Sequence, residues 1–287
     1  MIIEQFNAFD VKKLFASMDI KASKQKSQNF LVDPAIPEKT VSLSGIDKSC
    51  GVLEVGPGLG ALTEQLCKTA GHVTAVELDK RLIPLLHSLL EDYENIELVQ
   101  GDILKIDINK LISETNSELS KHVFANLPYS ITTPVITRLI ETDAFETMTL
   151  LMQKEVAERI CAKPGTSEYG AFTVYVNYYT EPQTLFDVPP GCFYPRPKVT
   201  SSVVKLKIRQ KRLLSPDIEK PFFRVVRAAF GQRRKTLVNA LYAVFGDIHS
   251  KESITKTVTS CGFDALIRGE MLNINDFATL SERLFEL

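Results

Sequence analysis

Apolar positions come in short runs along the first half of the chain: Val52–Val55, Val73–Val76, Ile96–Val99, Val123–Ala125 and Met148–Met152, each bounded by turn or charge signals. Runs of this length read as buried strands. Between most of them the apolar positions shift to helical spacing, over Leu62–Leu66 and Leu82–Leu90, and over Val135–Ile140 behind the helix-start signal Thr132-Thr133-Pro134. Strands alternating with helices predict an α/β fold with a parallel, doubly wound sheet. Leu185–Val188 and Val203–Ile208 add two strands, read as an antiparallel hairpin at the sheet edge. After Arg209 the pattern is helical only, over Phe222–Phe230, Thr236–Phe245, Ser253–Cys261 and Phe277–Phe285, with Gly231, Gly246 and Gly262 as punctuation. The predicted organisation is a first domain over residues 1–209, with an arm over 1–34, and a small C-terminal all-helical domain over 210–287. Lys207–Ser215 is the expected linker, followed by Pro216.

Composition narrows the class. The chain has 287 residues, 44% hydrophobic and 24% charged, as in a soluble globular protein. No apolar run approaches the roughly 20 residues of a membrane helix. The N-terminus lacks the basic-then-apolar layout of a secretory signal. Cys50, Cys67, Cys161, Cys192 and Cys261 are scattered, without a C-x-x-C pair. That argues against a disulfide framework or zinc site and for a reducing cytoplasm.

The total charge of −1 hides a segregation. Arg196–Lys235 carries thirteen Lys or Arg residues against Asp217 and Glu219. Lys12, Lys13, Lys21, Lys24 and Lys26 stand near the N-terminus against Asp19. Basic residues concentrated on an otherwise acidic chain imply a face for a polyanion. Candidate RNA contacts are Arg196, Lys198, Arg227, Arg233, Arg234 and Lys235.

Two motifs carry candidate chemistry. Val52-Leu53-Glu54-Val55-Gly56-Pro57-Gly58-Leu59-Gly60 is a strand entering a glycine-rich turn before a helical pattern. Glycines there let backbone approach a ligand closely. Glu77 ends the second strand, placed to accept from two ribose hydroxyls. Asp102 follows the third strand and can accept from an adenine amino group. The glycine spacing is neither G-x-G-x-x-G nor the NTPase phosphate loop. An adenosyl cofactor without phosphate fits, and S-adenosylmethionine is the natural candidate. The second motif, Asn126-Leu127-Pro128-Tyr129, follows the fourth strand. The Asn126 side-chain oxygen and the Leu127 carbonyl can accept from an exocyclic –NH2, and the Tyr129 ring can stack on the base.

These motifs, together with Gln28-Asn29-Phe30-Leu31-Val32-Asp33, Phe193-Tyr194-Pro195-Arg196-Pro197-Lys198-Val199-Thr200-Ser201 and Gly231-Gln232-Arg233-Arg234-Lys235, make the chain resemble the ribosomal RNA adenine N6-dimethyltransferases, nearest their bacterial small-subunit members. The resemblance runs from about Lys21 to the C-terminus. It implies a Rossmann-like S-adenosylmethionine-dependent methyltransferase sheet. The cofactor contacts would be Gln28, Asn29, Leu31, Gly56, Gly58, Glu77, Leu78, Asp102, Ile103 and Asn126. The catalytic group would be Asn126, Leu127, Pro128 and Tyr129, with Phe193 as a second ring around an extruded base. It also implies small-subunit (16S) rRNA within an immature 30S particle as substrate, dimethylation of two adjacent adenosines in the 3′-terminal hairpin, and a monomeric, cytoplasmic enzyme with no metal. Tyr175, Tyr178 and Tyr179 read as packing residues. The alternatives are a large-subunit (23S) rRNA adenine methyltransferase, expected to be more basic than this chain of pI ≈ 6.5, a DNA adenine methyltransferase, and a non-catalytic ribosome-assembly factor. Base deamination is disfavoured, since no H-x-E with P-C-x-x-C is present.

Overall fold

The computed structural model describes residue 11 and residues 29–114 and 118–285. Most of the predicted arm over 1–34, including Gln28, lies outside the described residues.

The chain divides into two compact units, Met1–Ala157 with Gln183–Ile208, and Glu158–Pro182 with Arg209–Leu287. In the first, β1 (Phe30–Leu31) and α1 (Ala35–Ser44) precede β2 (Cys50–Val55), α2 (Ala61–Thr69), β3 (His72–Glu77), α3 (Ile83–Leu89), β4 (Ile96–Gln100), α4 (Ile108–Glu114), β5 (Ser120–Asn126), α5 (Thr132–Glu141), β6 (Thr147–Gln153) and α6 (Lys154–Ile160). After α7 (Ala171–Tyr179) come β7 (Thr180–Val188), β8 (Phe193–Tyr194) and β9 (Ser201–Ile208).

Seven strands form one sheet in the order β4-β3-β2-β5-β6-β9-β7. The β3–β4, β2–β3, β2–β5 and β5–β6 pairs are parallel, and β6–β9 is antiparallel. The five predicted apolar runs are thus the parallel strands. They lack alternation because helices cover both faces. Val73, Val123, Phe124, Met148 and Leu150 are fully buried, and α5 presents Val135, Ile136, Leu139 and Ile140 to the core. The predicted edge strands exist as β7 and β9, with β7 outermost. The strand order reverses between β2 and β5, which in open α/β sheets opens a crevice at the strand C-termini.

Several elements escaped the sequence reading, α4 and α6 among them. Helix α1 carries too few apolar residues to show a clean helical stripe; it buries Pro37, Thr40, Val41 and Ser44. Strands β1 and β8 pair in a separate two-stranded ribbon, Phe30 opposite Tyr194 and Leu31 opposite Phe193. Two-residue strands have no readable period.

The second unit packs α7 with α8 (Pro216–Gly231), α9 (Leu237–Phe245), α10 (Lys251–Ser260) and α11 (Ile274–Phe285). Tyr178, Phe222, Phe245 and Phe277 are its largest fully buried side chains. Each contributes about 1.5–3 kcal/mol of apolar burial. Tyr178 lies 5.2 Å from Phe222 between ring centroids, and its hydroxyl donates to Glu219 Oε2 at 3.1 Å. Tyr175, Tyr178 and Tyr179 do act as packing residues here. They also bring Glu158–Pro182, which precedes the anticipated boundary at 209/210, into the helical unit. Helix starts differ by one to six residues from the apolar pattern, and polar caps set two of them. Thr236 accepts from Asn239 N at 3.4 Å, and Ser250 from Ser253 N at 3.1 Å.

Candidate active site

The C-terminal ends of β2, β3, β4 and β5 surround one cleft of about 1060 Å3, part of it open to solvent. Twelve of the predicted site residues line it: Asn29, Leu31, Gly56, Gly58, Glu77, Leu78, Asp102, Ile103, Asn126, Leu127, Pro128 and Tyr129. The turn after β2 runs through left-handed backbone at Gly56, Gly58 and Gly60, with φ of 74°, 60° and 83°. A Cβ on Gly58 would also stand 3.0 Å from Phe30 Cδ1. Glycine is therefore required by conformation and by contact.

Glu77, at the end of β3, is buried, yet its carboxylate is held by backbone. Oε2 accepts from Gly58 N at 3.1 Å and Oε1 from Asp79 N at 2.7 Å. These bonds lock the glycine turn to the neighbouring strand end and fix the carboxylate at the cleft wall. Leu78 beside it is 53% exposed, an apolar flap at the rim. On the loop after the neighbouring strand β4, Asp102 Oδ1 accepts from Leu104 N at 3.0 Å, and Lys105 Nζ lies 3.8 Å from Oδ2.

At the end of β5, Asn126 Nδ2 donates to the Asn29 carbonyl at 3.0 Å. This commits the donor half of the carboxamide. Oδ1 then has no hydrogen-bond partner among the described residues, and neither has the Leu127 carbonyl. Leu127 N donates to Leu151 O at 3.0 Å, while Pro128 O accepts from Ile131 N and Thr132 Oγ1. The turn is thus knitted to β6 on one side and α5 on the other. The Tyr129 hydroxyl bonds Ser201 Oγ at 2.9 Å, and burial holds the phenol above its ordinary pKa. Tyr129 is a neutral, anchored ring at the cleft.

Not every candidate converges here. Phe193 is 3% exposed and packs among Leu31, Leu151, Val188 and Val203. It does not line the cleft, because its pairing with Leu31 turns it into the core as the backing of a lining residue. Arg196 and Lys198 are exposed in the first unit. In the second, Arg227, Arg234 and Lys235 are exposed, and their side chains form no hydrogen bond or ion pair among the described residues. Arg233 differs: its guanidinium pairs with Glu270 Oε2 at 3.1 Å and donates to the Tyr169 carbonyl at 3.1 Å. It clamps the helical unit.

The sequence reading missed Glu54 and Phe30 as lining residues. Glu54 is fully enclosed, its Oε2 has no partner among the described residues, and burial pushes the carboxyl up to about 8, with the negative Glu77 acting in the same direction. The available signal was a carboxylate inside the apolar run Val52–Val55, where a charge is costly unless it serves a ligand or a network.

A sheet whose parallel strands end in a glycine turn after β2, a buried carboxylate on β3 and an Asn with an unpaired side-chain oxygen on β5 frames the cleft of an S-adenosylmethionine-dependent methyltransferase. Solved structures agree: a dimethyladenosine transferase from Plasmodium falciparum superimposes with a TM-score of 0.75 at 28% identity, covering 88% of this chain and 95% of that one. The 23S rRNA methyltransferase ErmE gives 0.71 at 25%, covering 90% and 100%. Residues 20–279 match the ribosomal RNA adenine dimethylase family, and the chain belongs to it. Among its relatives, the ribosomal RNA small subunit methyltransferase A of Geobacillus thermodenitrificans is 43% identical over 279 residues, 96% of this chain and 95% of the relative. That of Caldanaerobacter subterraneus is 45% identical over 268 residues, 93% and 99%. The enzyme is an rRNA adenine dimethyltransferase that uses S-adenosylmethionine.

Proposed function

We propose that this enzyme dimethylates N6 of two adjacent adenosines in the 3′-terminal hairpin of 16S rRNA, within an immature 30S particle, acting as a monomer in the cytoplasm. Support for the small-subunit substrate comes from relatives at 43–45% identity that carry that name, against 25% for the 23S enzyme. The observation that carries the chemistry is the orientation of Asn126, whose donor is spent on Asn29 and whose acceptor is left beside the Leu127 carbonyl.

The cleft's own residues fit the cofactor. Left-handed glycines leave the wall without side chains, Glu77 offers a carboxylate fixed by two backbone N–H groups, and Asp102 lies on the loop after the third parallel strand in sequence. Asn29, Leu31, Gly56, Gly58, Glu77, Leu78, Asp102 and Ile103 would hold it; Gln28, assigned by resemblance, lies outside the described residues. S-adenosylmethionine, when bound, supplies an electrophilic sulfonium methyl.

Adenine N6 is a poor nucleophile because its lone pair is delocalised into the ring. Asn126 Oδ1 and the Leu127 carbonyl accept its two amine hydrogens. That favours a pyramidal nitrogen with an available lone pair and stabilises the positive charge that develops on it. Both acceptors are preorganised by Asn29, Leu151 and α5, so little reorganisation is needed. Tyr129 offers a stacking face for a base taken out of its helix at a cost of a few kcal/mol. The nitrogen sheds its proton to water once methylated, so no strong base is required. Arg227, Arg234 and Lys235, with Arg196 and Lys198, contact RNA phosphates. The test is to incubate the enzyme with labelled S-adenosylmethionine and, separately, undermethylated small subunits, large subunits and naked DNA. Label at N6 of paired adenosines in small-subunit rRNA supports the reading; label in large subunits or DNA contradicts it.

A further inference from the structure

Arg138, in the last turn of α5, reaches across to the loop after β4. Its Nε donates to the Ile103 carbonyl at 3.0 Å and its Nη2 to the Ile106 carbonyl at 2.6 Å. No acidic side chain pairs with it among the described residues, so the guanidinium is satisfied by backbone carbonyls. A planar fork suits two carbonyls held a few residues apart.

The same loop carries Asp102 and Ile103 into the cleft wall. Its internal bonds are short-range: Lys105 N and Ile106 N donate to Asp102 O at 2.8 and 3.0 Å, and Leu104 N to Asp102 Oδ1. One strand bond, Gly101 N to Glu77 O at 2.9 Å, anchors its start. Arg138 is the anchor on the far side. Its helix begins at the turn that presents Asn126, Leu127 and Tyr129, where Ile131 N and Thr132 Oγ1 close on Pro128 O. Six residues of helix, roughly 9 Å, separate Thr132 from Arg138. One rigid element therefore grips the target-base turn at its start and the cofactor-side loop at its last turn.

We infer that Arg138 is a positioning residue that pre-forms the adenosyl side of the cofactor site and ties it to the Asn126 turn. The inference rests on the cofactor reading of this cleft. Without the fork, the loop must be ordered at the moment of binding, and that ordering entropy weakens the complex.

The experiment is calorimetry of S-adenosylhomocysteine and of free adenosine with the full-length wild type, Arg138→Gln and Arg138→Lys, alongside amide hydrogen exchange and binding to small ribosomal subunits. The glutamine variant should bind both ligands about tenfold more weakly, the loss expected from charge-assisted hydrogen bonds. Lysine, which can reach one carbonyl, should recover part of the loss. Exchange should accelerate at Leu104–Ile106 and not across the sheet, and subunit binding should stay unchanged. Ligand affinities equal to wild type in either folded variant would overturn the inference while leaving the function reading intact. So would a loss shared equally by subunit binding, which marks general destabilisation. Should Arg138→Gln fail to fold, the lysine variant decides alone. A wild type that binds neither ligand removes the function reading and this inference together.

Discussion

The strand-end cleft and the basic segment Arg196–Lys235 are both dense in polar side chains, and the structure uses them differently. In the cleft, fixed groups keep capacity toward open space: Asn126 spends its donor on Asn29 and retains Oδ1, and Asp102 spends Oδ1 on Leu104 N. In the basic segment several charges are consumed where they stand. Lys205 Nζ donates to Ser44 O at 2.6 Å, Arg209 pairs with Glu181 at 2.7 Å, Arg224 lies over Phe245 at 5.2 Å and Arg233 pairs with Glu270. Net charge therefore overstates the number of cations available to a partner, whereas a hydrogen bond that orients an amide leaves its acceptor usable.

The largest expected effect tests the cleft side of that contrast. Asn126→Ala should lower single-turnover methylation by about 10²–10³, the loss typical of one preorganised polar group at a developing charge. Subunit affinity should stay within about twofold; an equal fall in both would make Asn126 a folding residue. Next, Glu77→Ala should weaken S-adenosylmethionine binding by at least about tenfold. It should also lower unfolding free energy by about 1–3 kcal/mol through its unpaired partners Gly58 N and Asp79 N. Calorimetry and denaturant titration check both.

On the basic side the two arginines next to each other should separate. Arg234→Ala should reduce the salt dependence of rRNA binding by about one phosphate contact with no change in melting temperature. Arg233→Ala should lower the melting temperature of the helical unit and leave the salt slope nearly untouched. The reverse pattern would break the comparison.

The last test is a pH dependence. Glu54 titrates near 4.5 unfolded and about 8 folded, so the native state holds a proton that the unfolded chain has released. Stability without ligand should therefore fall as pH rises from about 4.5 to 8. Glu54→Gln should flatten that slope and be the more stable protein at pH 8. Melting curves at three pH values suffice, and parallel curves would contradict the buried titration.

Much of this was legible along the chain. Unalternating apolar runs marked the parallel strands, and glycine spacing with Glu77, Asp102 and Asn126 at strand ends marked the cleft. What escaped was tertiary. Phe193 belongs to a two-residue strand whose partner is 162 positions away in sequence, and only that pairing turns the ring into the core. Arg233 and Arg234 are chemically identical neighbours, and only the tertiary partners of Arg233, Glu270 and the Tyr169 carbonyl among them, distinguish the two. Arg138 looked like an ordinary helix residue, because the carbonyls it holds carry no sequence signature. The start of α10 drifted because its cap, Ser250, lies outside the apolar pattern.

The most direct measurement is a crystal structure with S-adenosylhomocysteine and an adenosine-containing oligonucleotide. The adenosyl ribose hydroxyls should lie on the Glu77 carboxylate, and the target N6 within hydrogen-bond distance of both Asn126 Oδ1 and the Leu127 carbonyl, with its base on Tyr129. A ligand lodged away from the β2–β5 strand ends, or an adenine amine turned from Asn126, would contradict the account.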